Sequence, residues 1–401
     1  MDYFNKKTVE DLNILGKRVL LRCDFNVPFD TEGKIANTRR ITESLKTIKY
    51  LLDRRAKIVL CSHLGRPNGK FDSKFSLKPV AECLSKTLKK EIKLSKDVAG
   101  EDTRALVESL NEAEIVLLEN LRFCKGETEN DRTFASELAS LADVFVNDAF
   151  GAAHRSHAST VGVTEFLPSA CGFLMLKEIS TMTRILKNPT RPFVAILGGA
   201  KVSDKIGVIS NLLDKVDTLI VAGGMAYTFM NSLGYSIGNS ICENDKISLA
   251  VEIMAQAKGR GVKFLIPVDN KVGLEYSKNT EFKTVQSDSI PDGWMGLDIG
   301  PRTEVLFKDA LKDAETVIWN GPMGVAEWEN FSSGTFSVAK TVASSKAFSV
   351  VGGGDCAAAI EKLGYANEMS HISTGGGALL VLLEGKGLPA VVALSEKNRV
   401  V

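Results

Sequence analysis

The sequence predicts an α/β protein built on doubly wound parallel sheets in two domains, and three observations carry that prediction. Short apolar runs alternate with amphipathic helical stretches; the runs are apolar at consecutive positions rather than at every second one; and 401 residues exceed what one hydrophobic core usually organises. With 44% hydrophobic residues, the chain has enough apolar surface for two sizeable cores.

In chain order the runs are KRVLLRCDFNV, AKIVLCSHL, AEIVLLEN and ADVFVNDAF, then RPFVAILGGA, DTLIVAGGM, VKFLIPVDN, ETVIWNGPMG and AFSVVGGGD. Each reads as a strand buried on both faces. Between the two sets, FLPSACGFLMLKEI (residues 166–179) breaks the pattern with Pro168 and Gly172. The boundary is expected there, giving domains 1–170 and 171–380, with the tail 381–401 returning to the first. No period of repeat length recurs.

Lys plus Arg number 50 against 49 for Asp plus Glu, so the chain lacks the overall basic field that nucleic acid or an acidic membrane surface would select. Seven cysteines without a C-x-x-C spacing fit a reducing compartment better than a disulfide framework or a zinc site. The opening MDYFNKKTVEDLNILGKR has no apolar targeting core, and no uncharged run reaches the roughly 18 residues of a membrane span. A cytoplasmic protein is the expectation.

Ligands of open α/β sheets bind outside the carboxyl ends of the strands, and the two halves end their strands differently. The first half carries Arg22, Asp24, Asn26, His63, Arg66, Asn120 and Arg122 there, joined by Arg40 in RRI and by His154, Arg155 and His157 in AHRSHAS. The planar fork of arginine matches carboxylate and phosphate oxygens, so this cluster reads as a site for a small, highly anionic substrate.

The second half carries Gly198, Gly199, Gly223, Gly224, Gly321, Gly352, Gly353 and Gly354 instead. Glycine at a strand-to-helix turn aims bare amides and the helix dipole at one spot, which attracts phosphate. GGGDC before AAAIEKL, STGGGALL and LGGAKVSDKI read as three such cradles, enough for a polyphosphate. Lys201 and Lys205, four apart, are expected on one face of a helix beginning near Gly199. A carboxylate among phosphates needs a cation between them, so Asp355 reads as a Mg²⁺ ligand. Neither a P-loop nor a dinucleotide fingerprint occurs, which weighs against a nicotinamide-dependent dehydrogenase. A non-catalytic anion-binding protein of the same fold is the other alternative.

RCDFNVP, SHLGRP, ENLRF, AHRSHAS, GGAKVSDKI, DIGP, NGPMGV, GGGD and STGGGA, in that order over essentially the whole chain, resemble the signatures of the phosphoglycerate kinase family. The resemblance implies a monomer of two Rossmann-like domains joined by a hinge. It implies reversible glycolytic phosphoryl transfer between 1,3-bisphosphoglycerate and MgADP, giving 3-phosphoglycerate and MgATP, in line after hinge closure. Matched by motif, Asp24, Phe25, Asn26, Arg40, His63, Leu64, Gly65, Arg66, Arg122 and Arg155 would hold the acidic substrate. Lys205, Gly223, Gly296, Asn320, Glu327, Gly353, Gly354, Asp355 and Cys356 would meet the nucleotide, with Asp355 also at the metal. Arg40, Lys201, Gly354 and Gly377 would face the moving phosphoryl group.

The chain departs from that pattern in places. Cys356 stands where Ser or Thr is usual; it keeps the backbone amide, and a thiol at a helix N-terminus is expected to have a lowered pKa. Ala326 stands where an aromatic residue is usual, and Lys46 where proline is usual.

Overall fold

The computed structural model describes residues 5–397, which divide into two compact units. One runs to Ser180 and takes in the segment from Gly387 onward; the other is Thr181–Lys386.

These boundaries correct the sequence expectation. The Pro168–Gly172 interruption contains a strand, Ser169–Cys171, and the helix Phe173–Lys187 follows without a break, so the division falls inside that helix. Its first turn is anchored in the first unit, with Phe173 N donating to Thr47 Oγ1 at 2.9 Å and Leu174 N to Asp148 Oδ1 at 2.9 Å. In place of the missing proline, Lys46 sets its ammonium 4.7 Å from the centre of the Phe173 ring. The return begins at Gly387 rather than residue 381, because the helix Gly376–Leu383 packs within the second unit, where Leu383 O accepts from Asn211 Nδ2 at 2.7 Å. Beyond Gly387, Ala390 N reaches Ala153 O at 3.2 Å and Lys6 Nζ reaches Val392 O and Leu394 O at 2.8 Å. Residues 398–401 of the expected tail lie outside the described residues.

All nine apolar runs form strands. The first sheet has the order Ile92–Leu94, Ile115–Leu117, Lys57–Cys61, Arg18–Arg22, Val144–Asn147, Ser169–Cys171, with every pairing parallel. Leu20 sits between Val59 and Phe145, all three fully buried. The second sheet, also parallel throughout, runs Lys263–Leu265, Thr218–Val221, Phe193–Leu197, Thr316–Asn320, Phe348–Gly352, His371–Ile372.

In each sheet the strand order reverses at one strand, Arg18–Arg22 in the first and Phe193–Leu197 in the second. A crevice opens at such a switch point, beyond the carboxyl ends of the strands. Asp24 and Asn26 follow the first of these strands, and Gly198 to Lys201 follow the second.

The second unit also holds an antiparallel sheet, Phe282–Gln286, Asp269–Gly273, Met295–Ile299, and a short pair, Ser236–Ile237 with Ser289–Ile290. Sequence reasoning does not find these. Phe282–Gln286 is mostly exposed and the paired strands have two residues each, so neither carries an apolar run.

Candidate active site

Arg22 ends its strand with a fully buried side chain. Its Nε donates to Ser159 Oγ at 2.8 Å, Nη1 donates to Cys23 O, and Nη2 lies 3.9 Å from the equally buried Glu127. Arg22 is therefore a structural cation, contrary to its expected membership of an anion-binding cluster. Nη2 also stands 3.1 Å from His63 Nδ1. Because a guanidinium only donates, His63 Nδ1 accepts and the ring proton sits on Nε2. Burial pushes the His63 pKa well below the usual histidine range, opposed by Asp24 and helped by Arg22, Arg122 and Arg40.

Asp24 is buried beside these groups. Burial works against its charge, but Arg40 first and Arg22 with it hold the carboxyl below its usual range. Arg40 Nη1 donates to Asp24 Oδ1 at 3.1 Å and to Asn26 O at 2.9 Å, while its side chain stays 30% exposed and keeps N–H groups for a ligand. Asn26 Oδ1 accepts from Gly65 N at 2.9 Å, which ties the loop after Lys57–Cys61 to the loop after Arg18–Arg22. Gly65 has φ +60°, and a Cβ there would collide with the Phe75 ring. Phe25 and Leu64 are core residues, so only their backbone is open to a ligand.

Asn120 holds the third loop. Its Nδ2 donates to Leu64 O at 2.7 Å and Phe75 O at 2.9 Å, and its Oδ1 accepts from Arg122 N at 3.1 Å. That sets Arg122 Nη1 on Gly65 O at 2.7 Å, while the buried Arg122 Nε has no protein partner. A cavity of about 340 Å³ opens here, walled by Arg66, Asn68, Gly69, Arg122, Thr128, Arg155 and His157. Burial, with Arg155 and Arg22 nearby, pushes the Arg122 pKa down to about 10. Arginines held this close without enough carboxylate to match them form a site that an anion relieves.

In the second unit the strand-end glycines serve two purposes. Gly198 and Gly321 cross backbone to backbone, since a Cβ on Gly198 would collide with Pro322 O and one on Gly321 with Gly198 O. This corrects the expected cradle in LGGAKVSDKI: no helix starts at Gly199. The chain passes through Lys201 to a single 3₁₀ turn, Ser203–Lys205, and then the helix Ile206–Leu212. Lys201 is exposed, whereas Lys205 is buried with its ammonium donating to Asn320 O at 2.9 Å and to Asn320 Oδ1. The two lysines share no helix face. Burial pushes the Lys205 pKa down to about 8.

The other two glycine runs do open helices. Gly353, at φ +91°, precedes Gly354–Lys362, and Gly375 precedes Gly376–Leu383; neither helix has a side-chain cap, so their first amides remain open. The runs lie against each other, with a Cβ on Gly376 falling 3.3 Å from Gly353 Cα. Gly354 and Gly377 are exposed, and nothing stands within 4 Å of where a Gly354 Cβ would be. Asn320 Nδ2 is buried without a partner beside Gly353, a spare donor next to open amides.

Cys356, in the first turn of Gly354–Lys362, is fully buried. Burial pushes its thiol up to about 12, against the Gly321 N–H and Lys205, so the expected low-pKa thiol is corrected. Desolvation outweighs the helix terminus.

A second cavity, about 380 Å³, adjoins this region, and Gly199, Gly223, Gly296, Glu327 and Asp355 line it together with Tyr227, Tyr276, Met295, Leu297, Pro322 and Val325. Glu327 and Asp355 are exposed carboxylates at an otherwise largely apolar wall. Gly199, Gly223, Gly296, Glu327 and Asp355 are sequence-expected, whereas the sequence does not point to Met295 and Leu297 on the strand Met295–Ile299 or to Tyr227 on the helix Met225–Ser232. GGM before that helix is the signal that could have pointed to Tyr227.

An α/β chain with an arginine-walled cavity in one unit and open helix-start amides beside an apolar cavity in the other fits a class, the phosphotransferases that join an anionic acceptor to a nucleotide. The family model for phosphoglycerate kinase matches residues 9–386. The phosphoglycerate kinase of Clostridium novyi (strain NT) is 55% identical over 396 residues, 98% of this chain and 99% of that protein. That of Clostridium perfringens (strain 13 / Type A) is 54% identical over 397 residues, covering 98% and 100%. Among solved structures, phosphoglycerate kinase from Coxiella burnetii superposes with TM-score 0.86 at 43% identity over 97% of this chain and 98% of that one. The enzyme from Pyrococcus horikoshii OT3 gives TM-score 0.86 at 34% identity over the same shares. The chain belongs to the phosphoglycerate kinase family, kinases of glycolysis that transfer a phosphoryl group reversibly between a nucleotide and a carboxyl acceptor.

Proposed function

We propose that the first unit binds 3-phosphoglycerate and 1,3-bisphosphoglycerate through Asp24, Asn26, Arg40, His63, Arg66, Arg122 and Arg155, with the backbone of Phe25, Leu64 and Gly65. The second binds ADP or ATP through Lys205, Gly223, Gly296, Asn320, Glu327, Gly353, Gly354, Asp355 and the Cys356 amide. The observation that carries this reading is the cavity walled by Arg66, Arg122 and Arg155, whose crowded guanidinium groups favour a multiply charged anion.

The acceptor, a carboxylate, is ionised at neutral pH, so attack on a phosphoryl group needs no general base. His63 agrees with that: neutral, with Nδ1 occupied by Arg22, it offers an Nε2 proton that orients a substrate oxygen. Asp24 holds Arg40, and the remaining Arg40 N–H groups, Lys201 and the amides of Gly354 and Gly377 stabilise charge on the transferring oxygens. In-line transfer requires the two bound substrates to meet, so closure about a hinge belongs to the proposal.

Among the described residues no group of three or more His, Cys, Asp or Glu could cage a metal ion. A single exposed Asp355 beside open amides suits an ion that keeps its water and arrives with phosphates, as Mg²⁺ does. Bound there, Mg²⁺ would neutralise phosphate charge, with Asp355 holding it.

We also read the protein as a cytoplasmic monomer that engages neither nucleic acid nor membranes. The near balance of 50 basic and 49 acidic residues weighs against nucleic acid and acidic membrane surfaces, seven unpaired cysteines fit a reducing compartment, and the monomer is what the family resemblance implies.

The test is formation of 1,3-bisphosphoglycerate from MgATP and 3-phosphoglycerate, beside Lys201→Ala. Activity whose kcat collapses in the variant while nucleotide affinity holds supports the reading. Equal loss of both removes Lys201 from the transition state.

A further inference from the structure

The strand Met295–Ile299 gives Met295, Gly296 and Leu297 to the wall of the larger cavity, and its next residue, Asp298, is buried directly behind that wall. Asp298 Oδ2 accepts from Gly334 N at 3.0 Å and lies 3.3 Å from Ser333 Oγ, at the start of the helix Ser333–Ala343. Its Oδ1 is buried with no hydrogen-bond partner and abuts Gly324, where an added Cβ would collide with it. Gly324 belongs to the cavity wall. Its neighbours are pinned, Val325 N to Leu297 O at 2.9 Å and Met323 N to Thr335 Oγ1 at 3.0 Å, so wall and carboxyl group cannot readily separate.

Three charged or titratable groups face Asp298 from the packed elements: Lys271 on the strand Asp269–Gly273, Glu304 on the helix Pro301–Leu311 and Tyr227 on the helix Met225–Ser232. Ser333 Oγ accepts from Lys271 Nζ at 2.8 Å and also lies 3.0 Å from Glu304 Oε1. One hydroxyl proton cannot serve both Asp298 and Glu304, and one lysine cannot neutralise both. Burial pushes the Asp298 carboxyl up to about 7, the N–H groups of Gly334 and Ile299 and then Lys271 opposing, Glu304 adding.

We propose that Asp298 is a positioning residue for the nucleotide. Uncharged, it packs beneath Gly324 and lets the wall close on the ligand; charged, it sets an uncompensated carboxylate behind the wall and weakens binding of an anionic nucleotide. This rests on the reading of the cavity as the nucleotide site. By linkage, nucleotide binding and protonation of Asp298 favour each other to the same degree.

The experiment is equilibrium binding of ADP to the parent and to Asp298→Asn, a permanently neutral isostere, from about pH 5.5 to about pH 8.5. Comparison at each pH cancels the titration of ADP itself. The ratio of parent Kd to variant Kd is expected near unity in acid and to rise about fivefold through neutrality. A flat ratio overturns the proposal. Should Asp298→Asn fail to fold, Ser333→Ala decides: loss of the hydroxyl shifts the inflection of the parent Kd profile to higher pH, and an unmoved inflection overturns the proposal. Binding of 3-phosphoglycerate, unchanged in both variants, separates this effect from general loss of structure. Met295→Trp, which fills the cavity, separates the two readings. If it leaves ADP binding intact, the cavity assignment and the proposal fall together; if it abolishes binding while the Kd ratio stays flat, only the role of Asp298 falls.

Discussion

Lys205 Nζ donates to the backbone carbonyl of Asn320 at 2.9 Å and to the side-chain oxygen of the same residue, so a buried ammonium is held by one neutral asparagine. Its hydrogen bonds go to Asn320 and not to a carboxylate, and burial, opposed by Cys356 and Asp204, pushes its pKa down to about 8. In the proposed nucleotide site, an arriving phosphate would supply the missing negative charge.

That arrangement predicts proton uptake on nucleotide binding. A nearby anion raises the Lys205 pKa from about 8 toward the ordinary lysine value, so between those limits the complex binds more protons than the free protein. Calorimetry of ADP binding at about pH 8.5 in buffers of different ionisation enthalpy should show the uptake, and Lys205→Met should abolish it. Equal proton release or uptake in parent and variant would show that Lys205 does not face the phosphates.

Arg122 is expected to act on the acidic substrate alone. Its buried Nε has no protein partner and its Nη1 is fixed by Gly65 O, so the group is preorganised for an anion. Arg122→Ala should raise KM for 3-phosphoglycerate by about one to two orders of magnitude, the equivalent of roughly 1.5–3 kcal/mol for a charge-assisted hydrogen bond. KM for ATP should stay within about twofold.

Cys356 should be inert. Fully buried, with its thiol pushed up to about 12, it should react with iodoacetamide far more slowly than the half-buried Cys83 and Cys242. Bound nucleotide should change that rate little. Peptide-resolved labelling checks it, and Cys356 labelling as fast as Cys83 would contradict the burial.

The strands and the chemistry of the first unit were legible in the sequence for a physical reason. A strand buried on both faces must be continuously apolar, and a polar residue that ends it must point at ligand or partner, which is why Asp24, Asn26, His63 and Arg122 stand out. The same logic could not tell ligand from partner, and Arg22, identical in pattern to Arg122, is enclosed by Ser159, His63 and Glu127. Glycine was ambiguous in the second unit: Gly353 opens a helix, whereas Gly198 and Gly321 permit two loops to cross, and only the fold distinguishes them. Met295 and Leu297 in the wall of the larger cavity are not legible because their strand, Met295–Ile299, is one edge of a small antiparallel sheet whose other edge, Phe282–Gln286, is mostly exposed. The sequence shows the helix position of Cys356 but not its burial, and burial sets its thiol pKa.

Under the proposed reading, each unit binds one substrate. Steady-state kinetics of 1,3-bisphosphoglycerate formation, with both substrates varied in Arg122→Ala and Lys205→Met, tests it most directly. The first variant is expected to raise KM for 3-phosphoglycerate alone and the second KM for ATP alone. Loss of affinity for the same substrate in both variants, or for both substrates in either, would contradict it.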